Sequence, residues 1–439
     1  MKKTILHLIC LFFVLPVFGQ YTVTGGQGQP LLAKEDAPVK VYLLNGLSGA
    51  EISYTSDTEE PHQWYKYNVK ANEKIPIPCR QNKNTSTITD VSEGWGYSVG
   101  LTNAPSTSYV WIIDYSTKQP SFLNFEVQEE GDKCEFLKLI TDVLAPPLAY
   151  QGVNGEQRTL QRKYHLVYDE FKWKEDDLDF IKSQRIDTLT GILSEIVIDA
   201  PLINTSFTLK GDEYAEHFGI NHELTIPKYT AVALDVHSWA TLFKEEGDDE
   251  LYPNESRISG SAPLTITFDA YANDPVASLY IWEIKKIDPA TKDSVTVKRT
   301  DSRSLTHEFK ESGTFHVQLE VTSIVGAQPV CVDKSQFYTV FIGESDLKLP
   351  NAFSPGSSYG TNDEYKVVHK SLVSFKASIY NRWGNLLFQW NDPDKGWDGR
   401  VSGKLVPTGV YFIVVEAKGA DGKSYTMSKD INILRSKNN

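Results

Sequence analysis

One short segment combines side-chain types that could bind a metal ion. Glu216-His217 and His222-Glu223 flank Phe218-Gly219-Ile220-Asn221, and imidazoles with carboxylates are donors that zinc accepts. A zinc-protease helix needs two histidines four residues apart with an adjacent glutamate, and this spacing is absent here. The chain also lacks a phosphate-binding P-loop. We therefore predict a non-enzymatic protein with no cofactor, no metal site and no catalytic residues.

A second set of candidate functional residues is concentrated near the carboxyl end. Four short motifs follow one another there: Phe353-Ser354-Pro355, Tyr380-Asn381-Arg382-Trp383-Gly384, Gly396-Trp397-Asp398-Gly399 and Pro407-Thr408-Gly409-Val410-Tyr411. A charged, flexible side chain at the end of a hairpin is not needed for core packing. Arg382 is therefore the best candidate for direct contact with a partner. Trp383, Trp397 and the glycines are expected mainly to build the domain. Asp398 is expected to cap a turn through the backbone.

The elements that position these motifs are antiparallel strands. Two runs alternate with polar neighbours as half-buried strands do: Phe375, Ala377, Ile379 and then Leu386, Phe388, Trp390. Trp383-Gly384-Asn385 lies between the runs and predicts a tight hairpin, since Gly and Asn tolerate positive φ. Val410 to Val415 is continuously apolar, which predicts a strand covered on both faces.

In this order and spacing, the four motifs resemble the gliding-motility-associated C-terminal domain, the type B sorting domain of Bacteroidetes cargo for the type IX secretion system. The resemblance implies that residues 346–439 form a β-sandwich. It also implies recognition of that domain by the translocon or an outer-membrane barrel partner, and delivery to the cell surface or beyond. The residues it assigns to recognition are Tyr380, Asn381, Arg382, Trp383, Gly384, Gly396, Trp397, Asp398 and Gly399.

The amino terminus and the cysteines agree with export. Residues 1–19 combine Lys2 and Lys3 with an apolar core, which predicts a signal peptide. Cys10 lies in that segment, so three cysteines remain. We predict one disulfide, Cys79–Cys134, as expected for an exported chain. The remaining thiol would then be Cys331.

Composition narrows the class of protein and of partner. Hydrophobic residues make up 40% of the chain, enough for substantial cores, and aromatic residues at 12% favour β structure. The net charge of −13 argues against nucleic acid as a partner. The predicted fold class is all-β, with tandem immunoglobulin-like β-sandwich domains before the C-terminal sorting sandwich.

Three modules are predicted upstream of the sorting domain. Residues 20–130 suggest an immunoglobulin-like sandwich in which Trp64 or Trp111 fills the core, and 131–250 a second β domain. The acidic run Glu245 to Glu250 is expected to be a linker and domain boundary. Residues 255–344, with Trp282 on a central strand, resemble a polycystic-kidney-disease-type repeat. The resemblance implies a further sandwich.

The main hypothesis is a non-enzymatic exported protein whose upstream sandwiches are spacers or binding modules. One alternative is a resident structural component of the secretion or gliding apparatus. Another is a carbohydrate-binding or hydrolytic module within 131–250. Exposed aromatic rings can stack on sugars, so surface glycans are possible partners. The candidates for such stacking are Trp95, Tyr97, Trp173 and Trp239.

Overall fold

The structure, a computed structural model, describes residues 20–102, 106–128, 131–191, 194–243, 249–253, 256–356 and 362–435. The predicted signal peptide and most of the acidic run, 245–248, lie outside these residues. Strands dominate, and α1 (Glu213–His217) is the one α-helix within the ranges given above. The prediction of an all-β chain of tandem sandwiches is confirmed.

The first domain is a sandwich of a four-stranded sheet, β1-β4-β8-β7, and a six-stranded sheet, β2-β3-β10-β9-β5-β6. Its strands are β1 (Gln20–Thr24), β2 (Leu31–Asp36), β3 (Val39–Leu44), β4 (Glu51–Thr55), β5 (His62–Tyr67), β6 (Ile75–Ile77), β7 (Arg80–Asn82), β8 (Thr85–Ile88), β9 (Trp95–Leu101) and β10 (Tyr109–Asp114). Of the two tryptophans considered, Trp64 fills the core between the sheets, while Trp111 lies on the opposite face of the larger sheet.

The second domain packs a three-stranded sheet, β11-β12-β17, against a four-stranded sheet, β16-β15-β18-β19, and adds the hairpin β13-β14. Its strands are β11 (Ser121–Val127), β12 (Phe136–Leu144), β13 (Ala149–Gln151), β14 (Gln157–Thr159), β15 (Lys163–Lys174), β16 (Asp179–Thr190), β17 (Glu195–Asp199), β18 (Thr205–Gly211) and β19 (Glu223–Tyr229). Because β11 pairs with β12, this domain begins near residue 121 rather than at 131.

The third domain packs the sheet β21-β20-β23-β26 against β22-β29-β27-β24-β25, with β28 pairing β27. Its strands are β20 (Val236–Leu242), β21 (Glu250–Pro253), β22 (Arg257–Gly260), β23 (Leu264–Ala272), β24 (Ala277–Ile287), β25 (Ser294–Asp301), β26 (Ser304–Phe309), β27 (Gly313–Val325), β28 (Gln328–Lys334) and β29 (Tyr338–Ile342). Trp282 is buried in its core, as predicted.

The predicted boundary at Glu245 to Glu250 is wrong. The strands on either side of this run, β20 and β21, pair with each other, and β20 also pairs with β23. Both strands therefore belong to the third domain, which begins near residue 236 rather than at 255. The charge of a segment does not determine which strands pair on either side of it, so an acidic run does not by itself mark a domain boundary.

The fourth domain has a central sheet, β31-β38-β37-β33-β34, flanked by the small ladders β30-β32 and β35-β36. Its strands are β30 (Asp346–Lys348), β31 (Ala352–Phe353), β32 (Val368–Lys370), β33 (Leu372–Tyr380), β34 (Leu386–Trp390), β35 (Arg400–Val401), β36 (Lys404–Leu405), β37 (Gly409–Gly419) and β38 (Ser424–Ile433). The inward residues of β33 and β37, such as Ile379 and Ile413, are buried in one core.

The first and second domains share an apolar interface rather than a flexible linker. Trp111 and Ile113 on the outer face of the six-stranded sheet are buried together with Tyr150 and Tyr214 of the second domain. The Ala71 N–H donates to the Val153 carbonyl across the interface at 2.9 Å. The two sandwiches are therefore packed as one unit.

A buried ion pair lies at the same interface. The Arg162 guanidinium contacts the fully buried Asp212 carboxylate, and it also donates to the Lys118 and Pro146 carbonyls at 2.6 Å each. The Tyr115 hydroxyl of the first domain donates to Asp212 Oδ1 at 2.5 Å. Burial raises the pKa of Tyr115, so this hydroxyl stays protonated and keeps its donor role. Each charge has its partners, as a buried pair requires.

The predicted disulfide Cys79–Cys134 is wrong. Cys134, just before β12, bonds Cys331 of β28 with a Cα–Cα distance of 5.7 Å, so the bond joins the second and third domains. Cys79 is free and half-buried in the first domain, where its Sγ donates to the His62 carbonyl at 3.7 Å. Burial raises the pKa of the Cys79 thiol. Spatial approach, not separation along the chain, decides which sulfurs can bond.

Replacing Cys134 and Cys331 together by serine should destabilise the second and third domains by about 2–4 kcal/mol, because the loop that the bond closes is long. Denaturant unfolding followed by fluorescence would measure the loss, with Cys79→Ser as the matched control. Thiol titration of the denatured, unreduced chain from Gln20 should find one thiol. Three thiols would contradict the bond.

A buried hydrogen-bond chain in the first domain centres on His62. Its Nε2 lies 2.8 Å from Ser56 Oγ and its Nδ1 lies 2.6 Å from Ser86 Oγ, which also accepts from Trp64 Nε1 at 2.7 Å. Ser56 Oγ in turn donates to the Thr58 carbonyl at 2.7 Å. A neutral imidazole satisfies every group in this chain, with Nε2 as the donor. Burial lowers the pKa of His62.

This arrangement should make the first domain sensitive to acid. Folded His62 takes up a proton less readily than the unfolded chain, whose histidine pKa is about 6.5. The unfolded state therefore binds more protons as the pH falls through this region, and stability present above it is lost. The melting temperature should fall between pH 7 and pH 5. In His62→Gln the fall in melting temperature should be smaller. A fall as large as that of the unmodified protein would contradict the role assigned to His62.

Candidate partner-recognition site

The turn between β33 and β34 is held rigid by one side chain. Asn381 Oδ1 accepts the N–H groups of Trp383 and Asn385, both at 3.0 Å. The Asn381 N–H donates to the Asn385 carbonyl at 3.0 Å, and Gly384 takes a φ of +81°, which favours glycine. The strands pair antiparallel, so the predicted hairpin forms. The loop presents its side chains in a defined geometry.

Arg382 and Trp383 project from this turn. Trp383 is 71% exposed, and no other tryptophan in the described residues is among the exposed large hydrophobic residues. The guanidinium carbon of Arg382 lies 4.2 Å from the Trp383 ring centroid, a cation–π contact. The charged group and the ring therefore form one exposed, pre-assembled pair. Arginine and tryptophan, together with tyrosine, are enriched at the hot spots of protein–protein interfaces.

Three of the four C-terminal motifs instead meet in the core. The fully buried Trp397 ring lies 5.6 Å from Phe353 and 5.7 Å from Tyr411, and its Nε1 donates to the Arg400 carbonyl at 3.0 Å. Gly399 has a φ of +74°, and a Cβ there would lie 2.8 Å from Pro355 Cγ. These contacts join Phe-Ser-Pro, Gly-Trp-Asp-Gly and Pro-x-Gly-Val-Tyr. The three motifs therefore meet in one aromatic cluster.

The remaining assigned residues have local roles. Asp398 is exposed, and its Oδ1 accepts the Arg400 N–H at 2.9 Å, which is the predicted turn-capping arrangement. A Cβ at Gly396 would lie 2.8 Å from the Tyr365 carbonyl oxygen, so the backbone passes too close for a side chain. Tyr380 ends β33 and pairs with Leu386 and Phe412. Among the residues placed by the structure, no group of three or more His, Cys, Asp or Glu could hold a metal ion.

The prediction that Val410 to Val415 is covered on both faces is wrong. Tyr411, Ile413 and Val415 are buried, but Val410, Phe412 and Val414 are 48%, 43% and 36% exposed. A continuous apolar run looks the same whether or not a second layer covers it. The missed signal lies in β38, which places the polar residues Asn432, Asp430 and Ser428 directly opposite the three exposed residues.

The exposed residues lie on the outer face of the sheet near the hairpin, where Tyr380 pairs with both Leu386 and Phe412 and where Val410 and Trp383 line one groove. We call this surface the hairpin face, and it consists of Trp383, Leu386, Val410, Phe412 and Val414. A groove of about 390 Å³ lies at its end, between the Arg382–Trp383 turn and the segment from Pro407 to Val410. The arrangement can accept an apolar side chain of a partner next to a cationic group.

The other candidate residues are placed elsewhere. Tyr97 is buried in the first core, and Lys66 lies over the Trp95 ring at 5.0 Å. Trp173 is stacked on His237 at 4.2 Å. Trp239, half-buried, lies on β20. All four residues are described by the structure, and each is buried or half-buried rather than exposed.

Two family models match parts of the chain. Residues 347–430 match the CHU_C type IX secretion signal domain. Residues 126–226 match a fibronectin type III domain, which has an immunoglobulin-like fold. Neither region includes 255–344, so the polycystic-kidney-disease-type repeat is not confirmed. The secretion signal domain implies export to the cell surface or secretion. Across the described ranges, no helix is long and apolar enough to cross a membrane.

Whole proteins of known structure resemble the chain only weakly. No curated protein matches the chain. Three N-terminal domains of the bacteriophage RB49 outer capsid protein Hoc align at 10% identity over 67% of this chain and 95% of that one, with a TM-score of 0.23. Chicken CNTN1 domains FN1–FN3 align at 11% identity over 72% and 100%, with a TM-score of 0.21. An ice-binding adhesin of an Antarctic bacterium aligns at 10% over 90% and 96%, at 0.19.

Two of the three tryptophans in the signal domain, Trp383 and Trp397, should differ clearly when each is replaced by alanine. Trp397→Ala removes the centre of the aromatic cluster and should destabilise the domain by about 3–5 kcal/mol. Trp383→Ala removes an exposed ring and should change stability by no more than about 0.5 kcal/mol. Denaturant unfolding of both variants measures the difference. Equal losses would show that Trp383 is structural.

Proposed function

We propose that this protein is a non-enzymatic surface or secreted protein, recognised by the type IX secretion machinery through the hairpin face of its C-terminal domain. The match of residues 347–430 to a type IX secretion signal domain is the observation that carries the proposal. The partner is the outer-membrane translocon or a barrel that acts with it. The three upstream sandwiches serve as a spacer that presents surfaces outside the cell.

The choice of the hairpin face rests on exposure. Trp397, Gly396 and Gly399 are used in packing, so their motif supports the domain rather than contacting a partner. Arg382 and Trp383 lie at the exposed end of the same sheet. Contiguous apolar surface with a polar rim is characteristic of protein interaction sites. A partner that buries Trp383 would also desolvate Arg382, and an acidic group would then pair with the guanidinium.

The rigidity of the upstream modules supports the spacer role. The first and second domains share buried apolar residues and the Arg162–Asp212 pair, and a disulfide joins the second domain to the third. At the last boundary, the Ala262 N–H donates to Ser371 Oγ at 3.2 Å, and the Ser312 N–H donates to the Ala420 carbonyl at 3.0 Å. Each domain is therefore anchored to the next by specific contacts.

The proposal predicts that recognition depends on the exposed pair. Intact protein should capture identified outer-membrane secretion components from membranes of the native host. Arg382→Ala combined with Trp383→Ala should reduce that capture about tenfold or more, as expected for loss of a hot spot worth about 1.4 kcal/mol or more. Quantitative mass spectrometry of the captured proteins measures the effect.

The matched control is Phe341→Ala, which removes an aromatic ring that is 50% exposed on the third domain. It should capture normally, and melting curves should show that all variants are folded. Equal capture by both variants would overturn the hairpin face as the recognition surface. Capture of no secretion component by the intact protein would overturn the function itself. Stoichiometric recovery would favour a resident component of the apparatus over passing cargo.

A further inference from the structure

A cleft in the second domain lies far along the chain from the secretion signal, and the proposed function makes no use of it. Its floor is the outer face of the sheet β16-β15-β18-β19. His165 on β15 pairs with Lys210 on β18 and with Thr188 on β16, and Val167 pairs with Ile186. Imidazole, ammonium and two aliphatic side chains therefore lie side by side on one surface.

The wall of the cleft is the segment that contains α1 and the residues after it. Gly219 takes a φ of +67°, and the Ile220 N–H donates back to the Ala215 carbonyl at 2.9 Å. After this turn, Ile220, Asn221 and His222 line the cleft together with the floor residues. The His222 carbonyl accepts the Gly211 N–H at 3.0 Å, which fixes the end of the wall.

Buried contacts hold this wall in place from behind. The Asp212 side chain accepts the Ala215 N–H at 3.0 Å at the start of α1, and the same carboxylate pairs with Arg162. Phe218 stacks on Tyr115 of the first domain with ring centroids 5.5 Å apart. The cleft is therefore preformed, and a ligand would not have to order a loop in order to bind.

The polar groups that line the cleft retain hydrogen-bonding capacity. Lys210 forms no ion pair with any residue placed by the structure, and its side chain is exposed. His222 engages Gln119 Oε1 through Nε2 at 3.0 Å, and His165 reaches Thr188 Oγ1 through Nδ1 at 3.4 Å. Each imidazole thus has its second nitrogen available. Asn221 and Glu216 add an amide and an acceptor at the rim.

We propose that this cleft binds an acidic saccharide, such as a uronic acid residue of a glycan. Its volume of about 380 Å³ falls within the roughly 300–1,000 Å³ of small-molecule sites. Val167, Ile186 and Ile220 would contact the apolar face of the sugar ring. Lys210 and the Nε2–H of His165 would bind the carboxylate, and Asn221, Glu216 and the Nδ1 of His222 would bind hydroxyls. The inference is independent of how the protein is exported.

Calorimetric titration of the full chain with glucuronate and galacturonate tests the proposal. At least one of them should bind, and methyl glucoside, which lacks the carboxylate, should bind at least tenfold more weakly. Lys210→Gln should weaken binding of the acid about tenfold or more. Ile186→Trp, which fills the apolar side of the cleft, should abolish it.

The matched control is Lys228→Gln, which removes an exposed lysine from β19 of the same sandwich outside the cleft residues. It should bind like the unmodified protein. No binding of either uronate at 10 mM would overturn the proposal, and so would equal loss in the two lysine variants. Full competition by inorganic sulfate at matched concentration would overturn the saccharide assignment in favour of a simple anion site.

Discussion

Every β-sheet has two faces, and a sandwich covers one of them. The other face must be polar, be covered by a neighbouring domain, or remain available to a partner. In the first domain the outer face of the larger sheet carries Trp111 and Ile113, and the hairpin β13-β14 with α1 of the second domain covers it. In the fourth domain the outer face carries Phe412 and Val414, and no neighbouring domain is packed on the described residues of that face. The first case explains the docking of two domains, and the second locates the proposed recognition surface.

The buried Arg162–Asp212 pair links the domain interface to the cleft. Removing a charge from water is costly unless it is paired and fully hydrogen-bonded. Here the partners come from both domains, since Tyr115 donates to Asp212 and the Lys118 carbonyl accepts from Arg162. Asp212 also begins α1, whose following residues form the wall of the cleft. Docking of the first domain therefore helps to shape a surface that belongs to the second.

The four C-terminal motifs have two different structural roles. Three motifs are recognisable because Trp397, Phe353 and Tyr411 must fit around one another, and because Gly399 must allow Pro355 to approach. The fourth motif is a turn stabilised by Asn381, and its Arg382 and Trp383 are not needed for that packing. Most residues of the four motifs are thus needed for the fold of the domain, whereas Arg382 and Trp383 are available for contact with a partner.

The sequence by itself determined the all-β class, the strands β33, β34 and β37 of the fourth domain, the hairpin at Trp383-Gly384 and the burial of Trp282. These features depend on local alternation and turn residues, which a single segment of chain contains. Tertiary structure alone decided that Cys134 bonds Cys331, that β20 and β21 pair with each other, and that Phe412 is exposed. It also decided that residues from 165 to 222 enclose a cleft. Each of these depends on which distant segments approach one another, and the spacing of residues along the chain does not contain that information.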